Sequence, residues 1–347
     1  MLKERIKTFV ALGNKIQQFL EAENPEKINP ELADLLHRHK HYNPWFTAES
    51  IEFAMANLLP MLEKKMLASF CEQYPISEQY TEKKIALVAA GNIPFVEFHD
   101  FLCVLLSGHD YHAKLSSKNN MLMPIIKKMI EEINPEMAKH IHFLEDSTFF
   151  KNIDAIIATG SDNSARYFEY YFGKYPNIIR KNRNSIAVLD GNESHAEFTD
   201  LANDIFLYFG LGCRSVSKLY IPEKMNPEIL IPAFTDFSNF MEHNAYMNNY
   251  TYNKAIFQMN NEDYYDGAFF LMKENPTLSS PLSVINFSYY ENLADVQREI
   301  AVLSDKIQVV VSNIEEIIDS LPLGTAQEPQ IDDFADGVDT MQFLNEL

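Results

Sequence analysis

From Lys83 onward short apolar runs alternate with amphipathic stretches, and this rhythm limits the fold more than any other feature of the chain. KKIALVAAGN reads as a strand buried on both faces that ends at Ala89, Ala90 and Gly91, and FVEFHDFLCVLLSG follows at helical spacing. The unit repeats. HDYHAKLS precedes the helical MLMPIIKKMIEEI, HIHFLED supplies another strand, and DAIIATG precedes the amphipathic SARYFEYYFG. Strands that alternate with helices of this length predict a parallel sheet. NIIRKNRNSIAVLDG adds one or two strands, AEFTDLANDIFLYF reads as a helix that breaks at Gly210 and Gly212, and KLYIP begins another strand. PLSVINFSYY, LADVQREIAVLS and KIQVVVS then form a second α/β unit.

Ahead of this region, apolar residues recur at helical spacing as Ile6, Phe9 and Val10, and again as Ile51, Phe53, Ala54, Leu58 and Leu59, with Pro25, Pro30 and Pro44 between the segments. The expected class is therefore α/β, with two α/β domains behind a helical N-terminal layer. With 347 residues, 46% of them hydrophobic, the chain has material for two packed cores. A formal net charge of −20 excludes a general nucleic-acid or anionic-membrane surface, because its field repels phosphate. Apolar runs such as 101–106 are too short for a transmembrane span and the amino terminus carries no signal pattern, so a soluble, cytoplasmic protein is expected.

The cysteines are Cys71, Cys103 and Cys213, with no CxxC pair and no His/Cys cluster at metal-ligand spacing, so neither a disulfide framework nor a metal site is expected. Cys71 and Cys103 lie in apolar helical segments and read as core thiols. Cys213 lies in a helix-to-strand joint beside Gly210 and Gly212, where the backbone can turn sharply enough to expose the sulfur, although a structural cysteine fits the same composition. Arg214 and Lys218 favour a thiolate if they point toward it.

Asn92, in GNIP at the carboxyl end of the first strand, reads either as a turn former or as an amide donor to an oxyanion. Lys114 ends the next strand, where ligands of open parallel sheets gather; a phosphate contact and a solvated surface lysine both fit. Gly160 and Ser161 form a strand-to-helix joint whose amides suit a diphosphate, and Ser161 equally suits a plain N-cap. His99 and His195 read as helix-surface or capping residues. The acidic IDDFADGVD tail lacks the full ligand pattern of a calcium loop and reads as a solvated or subunit-contacting segment.

Taken in order, GNIPF, HAKLSS, ATGSDNSA and LGCRSVSKLYIP resemble the aldehyde dehydrogenase superfamily, and within it the acyl-CoA reductase branch of LuxC type. SPLSVINF, KIQVVVS and DDFADGVDTMQFL extend the resemblance, which covers about residues 80 to 347. It implies an aldehyde-dehydrogenase-like fold: a helical segment over 1–80 packed on a Rossmann-like cofactor domain over 81–190, a catalytic thiol domain over 191–320 and a tail over 321–347, with the boundary near Gly191. It further implies Cys213 as nucleophile, Asn92 as oxyanion donor, Lys114 and Ser117 at the adenosine side of a nicotinamide dinucleotide, and Gly160 and Ser161 at its diphosphate.

The chain departs from the family in two places. Ala165 stands where the phosphate turn often has a second glycine, and Ile178 stands near the position of the usual general-base glutamate. Without that base, water is poorly activated against a thioester, which favours reduction over hydrolysis. Ser117, where many NAD-selective relatives carry an acidic residue, leaves room for a 2′-phosphate, so NADPH is the expected cofactor, with NADH as the second choice. The implied activity is reduction of an acyl-CoA or acyl-protein thioester to an aldehyde, and the resemblance allows a homo-oligomer. Two other readings stay open: an NAD(P)-dependent oxidising aldehyde dehydrogenase, and a catalytically silent binding or assembly subunit.

Overall fold

The computed structural model describes residues 1–81, 83–144 and 152–347. The chain forms two compact units, one of residues 1–182 with 330–347 and one of residues 183–329.

The first unit opens with α1 (Leu2–Leu20), α2 (Pro30–Tyr42), α3 (Ala48–Leu58) and α4 (Lys64–Cys71). Asn29 caps α2 ahead of Pro30 and Thr47 caps α3, which places the helix starts where the prolines divide the sequence. In α1 the stripe Phe9, Leu12, Ile16 and Phe19 is buried, the i, i+3, i+7 pattern of a helix laid on a core.

Then follow β1 (Lys84–Val88), α5 (Phe98–Ser107), β2 (Asp110–Lys114), α6 (Leu122–Ile133), α7 (Pro135–Ala138), β3 (Ile141–Phe143), β4 (Ala155–Thr159), α8 (Asp162–Phe172) and β5 (Asn177–Arg180). All five strands are parallel in the order β3-β2-β1-β4-β5. The sequence strand HIHFLED forms β3 over its first residues, and its Glu145 and Asp146 lie outside the described residues. β1 and β4 are apolar on both faces because β1 lies between β2 and β4, and β4 between β1 and β5.

The second unit holds β6 (Asn184–Val188), α9 (His195–Phe206), β7 (Val216–Pro222), α10 (Asn244–Met259), β8 (Tyr265–Asp266), β9 (Leu271–Glu274), β10 (Val284–Tyr290), α11 (Leu293–Val302) and β11 (Ile307–Val311). Its sheet runs β11-β6-β7-β10-β9-β8, parallel except for the β8–β9 pair. NIIRKNRNSIAVLDG thus makes two strands that join different sheets, and the units part between Asn182 and Arg183, one strand ahead of Gly191.

The tail differs from a solvated segment. Its last helix, α12 (Thr340–Asn345), buries Thr340, Met341 and Leu344 in the first unit, and Ile331 is buried as well. Among the described residues no helix is long and apolar enough to cross a membrane.

Candidate active site

The three thiols have opposite environments. Cys103 is fully buried in α5, its Sγ 3.9 Å from His99 Nδ1, and burial together with the Asp100 charge pushes the thiol well above its ordinary value. Cys71 is buried at the end of α4, and burial pushes it up to about 11 against the opposing charge of Arg5. Both stay protonated at neutral pH and out of reach. Cys213 is exposed.

Cys213 sits on residues 211–215, between a 3-10 turn (Leu207–Gly210) and the start of β7. The turn is tight because three consecutive residues take left-handed backbone angles: Tyr208 (φ 55°), Phe209 (φ 59°) and Gly210 (φ 73°). Only glycine adopts this conformation readily, so the two aromatics are strained. Their burial offsets the strain, since the Phe209 ring lies 4.4 Å from the ring centroids of both Phe240 and His243. The sequence pointed to the glycines; the aromatics before them make most of the bend.

The loop is held by side chains from elsewhere in its unit. Ser185 Oγ, on β6, donates to the Cys213 carbonyl at 2.9 Å. Arg214 Nε donates to the Ala326 carbonyl at 2.5 Å, and Gln327 Nε2 donates to Ser215 Oγ at 3.3 Å. Buried Asp204, on α9, in turn accepts from the Gly324 and Ala326 amides at 2.7 and 2.8 Å, and burial raises its carboxyl to about 6 despite those two bonds. Ser185, Asp204 and Gln327 carry no motif, and sequence reading passes over them. Lys218 does not serve the thiol: it is fully buried in β7, its ammonium donating to the Asn275 carbonyl and, at 2.5 Å, to Ser288 Oγ, and burial pushes it down to about 8.

On the first unit, Asn92 is half-buried in the loop after β1, where Phe95 also takes a left-handed φ of 55°. Lys114 closes β2 in register with Val88, the last residue of β1, so both loops leave the same edge of the sheet. Exposed Ser117 lines a cavity of about 260 Å³ with Lys118, His39, Tyr42 and Asn43. Glu97 and Asn119, both buried, link the two loops through a 3.3 Å hydrogen bond.

Gly160 and Ser161 follow β4, and Ser161 caps α8, accepting from the Ser164 amide at 3.4 Å. A Cβ on Gly160 would meet Ser164 Cβ at 2.8 Å and Phe168 Cε2 at 3.0 Å, so glycine lets the strand end run against its own helix. Ala165 is fully buried under that helix start. Ile178 is buried in β5 and brings no carboxylate to its position. His195 occupies the first turn of α9, which Ser194 and Glu197 cap reciprocally, and His99 Nε2 donates to the Ile331 carbonyl at 2.8 Å.

The chain superposes on solved aldehyde dehydrogenases over nine tenths of its length or more. Aldehyde dehydrogenase 21 from Physcomitrella patens matches all of this chain and 84% of its own, with a TM-score of 0.70 and 11% identity. Glyceraldehyde-3-phosphate dehydrogenase GapN from Methanocaldococcus jannaschii matches 91% of this chain and 77% of its own, at a TM-score of 0.62 and 13% identity. The propionaldehyde dehydrogenase of the Clostridium phytofermentans fucose-utilisation microcompartment matches 94% and 82%, at 0.61 and 10%. At such identities the likeness establishes the fold. No curated protein sequence matches the chain. The model of the LuxC acyl-CoA reductases matches residues 14–230, more than half of the chain, and the protein belongs to that family of acyl-CoA reductases.

Proposed function

We propose that this acyl-CoA reductase carries its acyl group on Cys213. The observation that supports this most directly is the contrast among its thiols: Cys213 alone of the three is exposed, on a loop fixed by Ser185, Arg214 and Gln327. The Cys213 sulfur attacks the thioester carbonyl carbon, the bond from that carbon to the coenzyme A sulfur breaks, and coenzyme A leaves as its thiolate. One thioester replaces another, so no redox equivalent is consumed at this stage. Backbone N–H groups of the 211–215 loop are the donors at hand for the oxyanion that forms on the way. Ile178 brings no carboxylate to the position where the family resemblance expects a water-activating base, which supports reduction over hydrolysis.

One feature supports a nicotinamide dinucleotide: the cavity at Ser117 lies beside the loop after β2, at the carboxyl edge of a parallel sheet. Gly160 and Ser161 would hold its diphosphate at the start of α8, and Lys114 and Ser117 its adenosine side. When bound, the reduced dinucleotide supplies the hydride that turns the acyl-cysteine into a thiohemiacetal. Cys213 then departs as thiolate and the aldehyde is released. Lys118 in the same cavity, with no carboxylate lining it among the described residues, supports NADPH over NADH.

The test is intact mass after incubation with acyl-CoA, with and without NADPH. An acyl adduct on the wild-type protein, none on Cys213→Ser, and loss of the adduct with aldehyde formation on adding NADPH are expected. A wild type that takes up no acyl group from any acyl-CoA, or an adduct that persists in Cys213→Ser, overturns the assignment. Faster turnover with NADH than with NADPH overturns the cofactor choice alone.

A further inference from the structure

We propose that Asp110, His112 and His142 form a binding site for one divalent transition-metal ion of the zinc class, a site separate from the acyl chemistry. β2 and β3 pair in parallel with His112 opposite His142. Asp110 lies two residues before His112 on the same strand and therefore on the same face. Each of the three offers one ligand atom, and these atoms lie within 4.8 Å of one another. The two imidazoles stack with centroids 4.3 Å apart and planes at 21°.

The carboxylate is already oriented by an outer partner. His140 Nδ1 lies 2.6 Å from Asp110 Oδ1, and the His140 ring stacks on Tyr80 at 3.6 Å. That leaves the second carboxylate oxygen as the ligand, with a hydrogen-bonded outer shell of the kind that fixes metal-bound groups. All three ligand residues are half-buried, shielded enough to strengthen a charge interaction and open enough to admit an ion.

Donor type selects the ion. Two imidazole nitrogens and one carboxylate oxygen suit zinc, cobalt or nickel, and suit calcium or magnesium poorly because those take oxygen ligands. Ligand bonds of about 2.0–2.1 Å set tetrahedral donors about 3.4 Å apart, which half-exposed side chains reach by small rotamer adjustments. Lys114 lies two residues along β2 from His112 and four from Asp110, about 7 and 13 Å at strand rise, and the ion clamps the edge strand β3 to β2.

The experiment uses full-length protein stripped with a chelator, in a Cys213→Ser background so that the exposed thiol binds no metal. Titration with cobalt(II) should saturate at one equivalent with the visible absorption of a low-coordinate site, zinc(II) should displace it, and zinc should raise Tm. His142→Gln and the isosteric Asp110→Asn should each weaken binding at least tenfold and abolish the Tm rise. His37→Gln/His41→Gln, on α2, should leave both unchanged. Absence of cobalt binding by the parent overturns the site, as does binding by either folded ligand variant with the parent's stoichiometry and affinity.

Discussion

Glu97 is a carboxyl group that the fold keeps uncharged. It is 2% exposed, and burial raises it from an ordinary 4.5 to about 8, with Asp100 adding to the rise. Its Oε1 and the Oδ1 of its partner Asn119 are buried without hydrogen-bond partners, which suits a protonated carboxyl able to donate. Below about pH 4.5 the folded and unfolded states both hold this proton and Glu97 costs nothing; as pH rises toward 8 only the folded state holds it, so stability falls across that window. Glu97→Gln should match the wild type at pH 4 and exceed its stability at pH 9 by on the order of a few kcal/mol, as read by denaturant unfolding. Equal stabilities at pH 9 would refute it. Nothing in PFVEFHDF marks Glu97 as buried, since an acidic residue opening a helix ordinarily faces water. The core thiols were legible because Cys71 and Cys103 sit on apolar helical faces.

At the scale of elements, the thiol loop was placed correctly between a helix and a strand, yet its support was invisible in the sequence. The pattern shows a joint where helical spacing stops near Gly210 and strand composition resumes at β7. It cannot show that Ala326, 112 residues after Arg214, returns to clasp the loop. Asp204 anchors that clasp through two amide bonds, each worth about 1.5–3 kcal/mol for a charged acceptor. Asp204→Ala should therefore lower Tm and slow Cys213 acylation at least tenfold in stopped mass-spectrometric time courses, whereas Thr199→Ala, on an exposed face of α9, should change neither. Normal acylation by Asp204→Ala would show that the clasp does not position the thiol. Sequence patterning was also silent between Pro222 and Pro281, where α10 and the β8–β9 pair form, because polar asparagines and tyrosines blur both periods there.

Across the whole chain, the tail is the largest departure from a linear reading. Arg180 makes a buried two-pronged ion pair with Asp100 at 2.5 and 2.8 Å and reaches Thr340 Oγ1 at 3.1 Å. Tyr74 donates to Asp339 at 2.8 Å, and the Leu344 carbonyl lies 2.8 Å from His109 Nε2. Removing residues 338–347 deletes buried Met341 and Leu344, each worth about 1.5–3 kcal/mol, and exposes the Arg180 pair. The truncated protein should lose several kcal/mol, with faster hydrogen exchange in α5 and β5 and little change in β7 and β10; unchanged exchange in α5 would contradict this. By itself the sequence determined the α/β class, the strand-to-helix order and the eligible thiol, because these follow from the spacing of apolar residues and glycines along a short stretch of chain. Only the tertiary structure decided which sheet each strand joins, what holds Cys213 in place, where the tail packs and that His112 meets His142, because parallel pairing and burial join residues far apart in sequence and leave no local period to read.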